Sequence, residues 1–456
     1  MKSTDVDCRA VVSPNNGRVF DHWQPIGAPD VATQLERLTH ARSELNDDIG
    51  LRKSLLDQCI AGLEQARPKL IDLVVGEVAK KPEEADGEID YAISFLAHCR
   101  DLLEELSFER RLENGHIIKD VGLAGALLIC PFNDPIAGLT RKIAPAIAAG
   151  CPVILKPSSL SILCALEMFD TFQAHGVRNH IQLLATGDPA LVLMVLEHVD
   201  IGIVSFTGST EVGRGLAVKC ATAGKKSVME LGGNCPFAVL GDADLDLAID
   251  DLIIRKLKAA GQACSSVNRV FVAESIYRPF KDRLLDRIAP LKSGPSNGAV
   301  DLGPVRTRRA ANTLVDLVSD ARSHGENLLS PAPSPVEEDE PFLFPFTVVE
   351  SEDESLFDDQ ETFGPLLSIR PFSNEERLLS RLARERHALV SYFYTADPKA
   401  LLPKLSQLRF GSIGINSTAI QGPDVPTGGF WEAGHGREGG SWGLSEYLTT
   451  VNHKIA

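Results

Sequence analysis

The chain has 456 residues, 44% apolar and 24% charged, a globular composition at a length beyond the roughly 250–300 residues where one core stops growing, so two or more domains are expected. Its 46 basic and 62 acidic residues leave a formal charge of -16, which excludes a general nucleic-acid surface, because such surfaces neutralise phosphates. No run approaches the ~18 consecutive apolar residues of a membrane span, and the opening MKSTDVDCRAVVSPNNG has no apolar signal region, so a cytoplasmic address is expected.

From residue 31 to about 78, Val31, Leu35, Leu38, Leu45, Leu56, Cys59, Ile60, Leu63, Leu70, Leu73 and Val74 recur at helical spacing and predict a helical layer. A further helix is expected over 88–103, and 109–122 reads as a two-part strand turning at Asn114-Gly115. From 121 to 231 short apolar runs alternate with amphipathic segments: GLAGALLIC, PVILKPSS, HIQLLA, IGIVSFTGS and KSVMEL as strands, with helices between them. That rhythm predicts a parallel sheet covered on both faces, with ligands outside the carboxyl ends of the strands. A second α/β block follows 234, with helices over DLDLAIDDLIIRKLKAAG and SIYRPFKDRLLDRIAP and strands at RVFVAES, FTVVES and LLSIRPF. The proline-rich acidic stretch 330–341 is expected to be a solvated loop.

Several strand ends carry chemistry-bearing side chains. PFND (131–134) offers Asn133 as an oxyanion donor or as a cap for the next helix; LKPSS (155–159) offers Lys156 and two hydroxyls; FTGST (206–210) opens a helix where backbone N–H groups could meet a phosphate. MELGGN (229–234) carries Glu230, and GQACSSVNR (261–269) carries Cys264, which is either a packing residue or a nucleophile. Nine cysteines and 11 histidines show no ligand spacing, so reduced thiols and no metal are expected.

The order PFND, LKPSS, FTGST, ELGGN, GQAC, ETFGPL, GGFWEAGHGREGG resembles the aldehyde dehydrogenase superfamily over nearly the whole chain. The wording is similar to the lactaldehyde, phosphonoacetaldehyde and succinate-semialdehyde branches. The resemblance implies an α/β fold with a Rossmann-like parallel-sheet cofactor domain (1–108 and 123–232), a second α/β catalytic domain (233–430) and a small β oligomerisation arm (109–122 and 431–456). It implies Cys264 as nucleophile, Glu230 as base and Asn133 as oxyanion donor. It implies NAD or NADP held by Lys156, Ser158, Ser159, Phe132, Gly208, Ser209, Leu231, Glu361 and Phe363. A thiolate suits this chemistry because it adds to an aldehyde and leaves a thioester that water can open. The implied partners are a small polar or anionic aldehyde and further copies of the chain, as a homodimer or homotetramer whose arm strands pair across subunits.

Three positions depart from the family wording. Ser159 stands where a carboxylate is frequent, so NADP is expected to be tolerated. PFND replaces a tryptophan-bearing version, and Trp431 and Glu432 alter a segment that implies changed specificity. Ser265 and Ser266, beside the thiol, are expected where substrate polarity is felt, and Cys235 lies close enough in sequence to compete with Cys264. One rival reading is a CoA-acylating dehydrogenase, against which Glu230 argues. The other is a non-catalytic protein on the same fold.

Overall fold

A computed structural model describes residues 8–46, 48–352 and 355–455; residues 1–7 of the opening stretch lie outside the described part. The chain begins with an antiparallel hairpin, β1 (Arg9–Val12) and β2 (Val19–Trp23). The sequence reading missed it because all but Trp23 of β2 are exposed, leaving no alternating pattern. Three long helices follow, α1 (Ala28–Leu45), α2 (Ile49–Val78) and α3 (Pro82–Glu105). As the spacing predicts, Val31, Leu35, Leu38, Leu56, Cys59, Leu63, Leu70 and Val74 are buried. Next, β3 (Glu109–Arg111) and β4 (His116–Gly122) turn at Gly115, whose φ is 80°.

The five predicted strands β5 (Gly125–Ile129), β6 (Val153–Lys156), β7 (Ile181–Leu183), β8 (Ile201–Thr207) and β9 (Lys226–Glu230) form a parallel sheet in the order β9-β8-β5-β6-β7. Between them run α4 (Ala137–Ala148), α5 (Ile162–Ala174), α6 (Pro189–Glu197) and α7 (Thr210–Thr222). Successive strand residues face opposite sides. Ala126, Leu128, Val153 and Leu155 therefore pack with α2 to α5, while Leu127, Ile129, Ile154 and Val204 pack with α1 and α6. Strand order reverses between β5 and β8, which opens a crevice at their carboxyl ends.

The second sheet takes β10 (Pro236–Val239), β11 (Arg269–Ala273), β12 (Asn327–Leu328), β13 (Thr347–Glu350) and β14 (Leu366–Phe372). After β15 (His387–Ala388), β16 (Val390–Tyr394) and β17 (Ser412–Ile415) complete it, in the order β12-β13-β14-β11-β10-β16-β17. All its pairings are parallel except that of β12. It is accompanied by α8 (Leu245–Leu257), α9 (Glu274–Ile288), α10 (Arg308–Ser323) and α11 (Glu375–Leu382). The stretch 330–341 forms no helix or strand, but it is not wholly solvated. Val336 is 8% exposed and its N–H donates to Asn312 Oδ1 at 2.9 Å, so one apolar residue anchors the run.

Near the end, β18 (Phe430–Trp431) pairs with β15, and β19 (Gly434–His435) pairs antiparallel with β9, setting Gly434 opposite Glu230. A short helix, Gly440–Glu446, turns the chain back so that β20 (Leu448–Lys454) runs antiparallel along β4. Within the chain the two arm segments pair with each other, in the order β20-β4-β3. Among the described residues no helix is long and apolar enough to cross a membrane.

Candidate active site

The crevice between β5 and β8 gathers the strand ends. The loop after β5 brings Phe132 edge-on to Phe363, with ring centroids 6.0 Å apart at 76°, so PFND and ETFGPL meet. Asn133 is buried and does not cap α4. That helix end is satisfied instead by Glu88, whose Oε1 accepts the N–H groups of Ile136 (2.8 Å) and Ala137 (3.0 Å). Freed from capping, the Asn133 amide is available to a ligand.

At the end of β6, burial depresses the amine pKa of Lys156. The Ser158 hydroxyl is spent on the Leu160 N–H at 3.1 Å, while Ser159 is exposed. At the end of β8, the Gly208 N–H donates to the Glu230 carbonyl at 3.1 Å. Ser209 occupies the N-cap of α7 without making a side-chain cap, so the first N–H groups of that helix have no capping oxygen from it.

Glu230 ends β9 at 6% exposure, with Oε1 lacking a partner, and the Leu231 N–H is held by the Ala433 carbonyl at 3.1 Å. Burial lifts the Glu230 pKa well above the carboxylate range; Glu438 adds to the rise and Lys142 opposes it. Of the two glycines that come next, Gly233 is required by close approach to backbone, while Gly232 faces the end of a side chain. A Cβ on Gly232 would stand 2.6 Å from Glu361 Oε2, and one on Gly233 would stand 2.8 Å from the Cys264 carbonyl. Glu361 is pushed up to about 8 by burial, against which the Gly233 N–H and Lys256 act, and its Oε1 is unpartnered.

Cys264 follows α8 and a turn in which Ala259, Ala260 and Gly261 have φ values of 50°, 52° and 71°. Burial pushes its thiol up to about 12; Glu361 raises it further and the Arg141 guanidinium opposes. Cys235 is fully buried and donates through Sγ to the Cys264 carbonyl at 3.2 Å, so it supports the loop. The two serines after the thiol differ: the Ser266 hydroxyl is buried without a partner, whereas that of Ser265 is claimed. Both are 1% exposed, and Ser265 is held by Arg255, which reaches its hydroxyl and, at 3.1 Å, its carbonyl.

The sequence reading missed three charged residues at this crevice. Arg141 lies over the rings of Tyr91 (5.7 Å) and Phe95 (5.3 Å), with its carboxylates no closer than 3.8 Å (Glu438) and 4.0 Å (Asp134). Its Nε is buried without a partner. Lys142 is fully buried, bonded to Ser205 Oγ at 2.8 Å and paired with Glu438. Two adjacent cations inside the apolar helix run AGLTRKIAPAIA were the available signal. Trp431 is 56% exposed at φ 52°, and the Glu432 carboxylate pairs with Arg386 and, at 3.3 Å, with His387.

A model of the aldehyde dehydrogenase family matches residues 1–452. The chain is 33% identical over 407 residues to the 3-sulfolactaldehyde dehydrogenase of Pseudomonas putida, covering 87% of this chain and 83% of that one. It is 31% identical over 453 residues to the NADP-dependent succinate-semialdehyde dehydrogenase of Escherichia coli, covering 97% and 88%. The crystal structure of the succinate-semialdehyde dehydrogenase of Burkholderia pseudomallei superposes with a TM-score of 0.93 at 29% identity, over 98% of this chain and 94% of that one. Crevice, strand-end residues and relatives agree: the chain belongs to the aldehyde dehydrogenase family, as an oxidoreductase acting on the aldehyde group with NAD or NADP.

Proposed function

We propose that the protein oxidises a small aldehyde bearing a second, anionic group to its carboxylate, through a covalent adduct on Cys264. The observation that carries the substrate class is Arg141, a buried guanidinium beside Cys264 with an orphaned Nε and only loose carboxylate neighbours. The names of the relatives, sulfolactaldehyde and succinate semialdehyde, support an anionic substrate.

In this reading Cys264 Sγ adds to the carbonyl carbon and its proton passes to Glu230, a basic carboxylate with one oxygen free. The developing oxyanion is met by the Asn133 amide and the Cys264 N–H. Loss of hydride leaves a thioester on Cys264; Glu230, having passed the thiol proton to solvent, then takes a proton from the water that opens it, and Cys264 leaves as the thiolate. NAD or NADP, when bound, supplies the hydride acceptor.

The residues fit that group. Glu361 Oε1 is an orphaned buried acceptor suited to ribose hydroxyls, and the α7 N-terminus at Gly208 and Ser209 suits a pyrophosphate. Lys156, Ser158 and Ser159 would face the adenine ribose, with Phe132, Leu231 and Phe363 about the nicotinamide end. Exposure of Ser159 supports tolerance of a 2′-phosphate. Residues 1–108 and 123–232 form the cofactor domain of this reading, 233–430 the catalytic domain, and 109–122 with 431–456 an arm for a homo-oligomer.

The test is turnover of succinate semialdehyde by the wild type and by Cys264→Ala, with each cofactor and with and without CoA. Reduced cofactor and free carboxylate from the wild type alone support the proposal. Activity in Cys264→Ala refutes it, and formation of acyl-CoA would favour the acylating class.

A further inference from the structure

The start of α3 reaches both loops that carry Asn133 and Cys264. Lys80, just ahead of it, is 3% exposed in its side chain and bridges Glu88 Oε2 (2.7 Å) and Asp134 Oδ1 (2.8 Å). Glu88 also holds the first N–H groups of α4, at Ile136 and Ala137. The loop bearing Asn133 is therefore pinned on its C-terminal side, at Asp134, Ile136 and Ala137, from a helix that is remote in sequence.

Glu84 serves the other loop. Its Oε2 accepts the Lys81 N–H at 3.0 Å, closing the N-terminus of α3, while its Oε1 accepts the Ala259 N–H at 3.0 Å. Ala259 opens the run of three left-handed residues before Cys264, a conformation that L side chains resist and that persists only when its surroundings hold it. Gln262 completes the hold: its Nε2 donates to the Ala259 carbonyl at 3.0 Å and its Oε1 accepts the Arg306 N–H at 2.8 Å. Each of the two α3 carboxylates thus spends an oxygen outside its own helix, one on either side of the same pocket.

We propose that Lys80, Glu84 and Glu88 are positioning residues that set the separation between the Asn133 amide and the Cys264 N–H, the two donors of the oxyanion pocket. The inference rests on the roles given above to Asn133 and Cys264. Such donors act because they are placed before charge develops, and support from surrounding side chains governs that placement.

The test compares Glu84→Ala and Lys80→Met with the conservative Glu84→Gln and Lys80→Arg, in full-length protein. In a Cys8→Ser background, which removes the exposed thiol, turnover is expressed per Cys264 titrated by a thiol reagent, with KM for NAD(P) and the thermal midpoint measured alongside. Loss of the clamp is expected to lower kcat per titrated site by roughly 10- to 100-fold, since a shift of an ångström has that effect, with KM for the cofactor held within about twofold. Glu84→Gln keeps an acceptor for the Ala259 N–H and Lys80→Arg keeps a cation, so each should recover most of the loss.

A merely structural role would lower the midpoint and the titratable fraction while leaving kcat per site at the wild-type value, and that result overturns the proposal. Cys264→Ala separates the two layers. If it still turns over, the nucleophile assignment falls and the proposal with it. If it is dead while Glu84→Ala and Lys80→Met keep full kcat per site, only the positioning role falls.

Discussion

Arg141→Met removes the charge that the anionic-substrate reading depends on while keeping most of the side chain's volume. The flexible thioether can take the guanidinium's place against Tyr91 and Phe95. Because Asp134 and Glu438 stand at 4.0 and 3.8 Å from Arg141 and have Lys80 and Lys142 as closer cations, the substitution strands no carboxylate. On the anionic-substrate reading, what it deletes is a charge-assisted contact to the anionic group of the substrate. Hydrogen bonds to charged groups contribute about 1.5–3 kcal/mol, so kcat/KM for succinate semialdehyde should fall roughly 10- to 150-fold more than kcat/KM for a neutral aldehyde of equal length. The neutral aldehyde is a necessary control, because Arg141 also opposes the upward shifts of Cys264 and Glu230 and its loss slows both substrates through the chemistry. The assay is the initial rate of cofactor reduction over a concentration series of each aldehyde. Equal losses for the two would refute recognition of the anion by Arg141.

Asn133→Ala should lower kcat by about 10² to 10³, the usual cost of one oxyanion donor, while NAD(P) binding by fluorescence titration stays intact; near-normal turnover would remove Asn133 from the mechanism. Glu230→Gln should stall hydrolysis: acyl-protein of substrate mass should accumulate by intact mass spectrometry, and steady turnover without an acyl adduct would contradict the role given to Glu230. The Glu361 carboxyl, at about 8 in the unliganded protein, is protonated and neutral below that pH and charged above it. Facing it are Lys256, drawn down to about 7 by burial, and the Cys264 thiol. If ionised Glu361 holds the ribose, kcat/KM for the cofactor rises with pH to a plateau above about 8. That step should vanish in Glu361→Gln, and a wild-type profile in the variant would assign it elsewhere.

The parallel cofactor sheet was legible because each of its strands is a short apolar run bounded by turn residues, and the covering helices carry regular spacing, as at Val31, Leu35 and Leu38. The second sheet was read only in part. VSYFY of β16 is buried at every position, so it offers no period-2 signal, and the hairpin strand VFDHW is nearly all exposed. The candidate residues Asn133, Lys156, Glu230, Cys264 and Glu361 were singled out as members of ordered motifs, each ambiguous when taken singly. Arg141, Lys142 and Glu438 were not found, because their importance depends on burial and on a contact spanning 296 residues of sequence between Lys142 and Glu438. For Ser265 proximity in sequence misled: adjacent residues of a loop point in different directions, and the partner that claims Ser265 is Arg255.

The charge states of the crevice point one way. Cys264 and Glu361 are raised by burial, Glu230 by burial and by Glu438, and the amines of Lys156 and Lys256 are lowered by burial. In each case the neutral form gains, so the unliganded pocket resists both an idle thiolate and an idle base. A low-dielectric site of that kind strengthens any charge-assisted contact made within it. An arriving anion that pairs with Arg141 draws on a guanidinium whose own pairs are loose. In the proposed mechanism, the same burial that favours a protonated Cys264 would let the Asn133 amide and the Cys264 N–H act strongly on an oxyanion once it forms. Because an anion on Arg141 also screens that guanidinium's downward pull on Cys264 and Glu230, activation in the proposed mechanism falls to the oxyanion donors rather than to a resting thiolate.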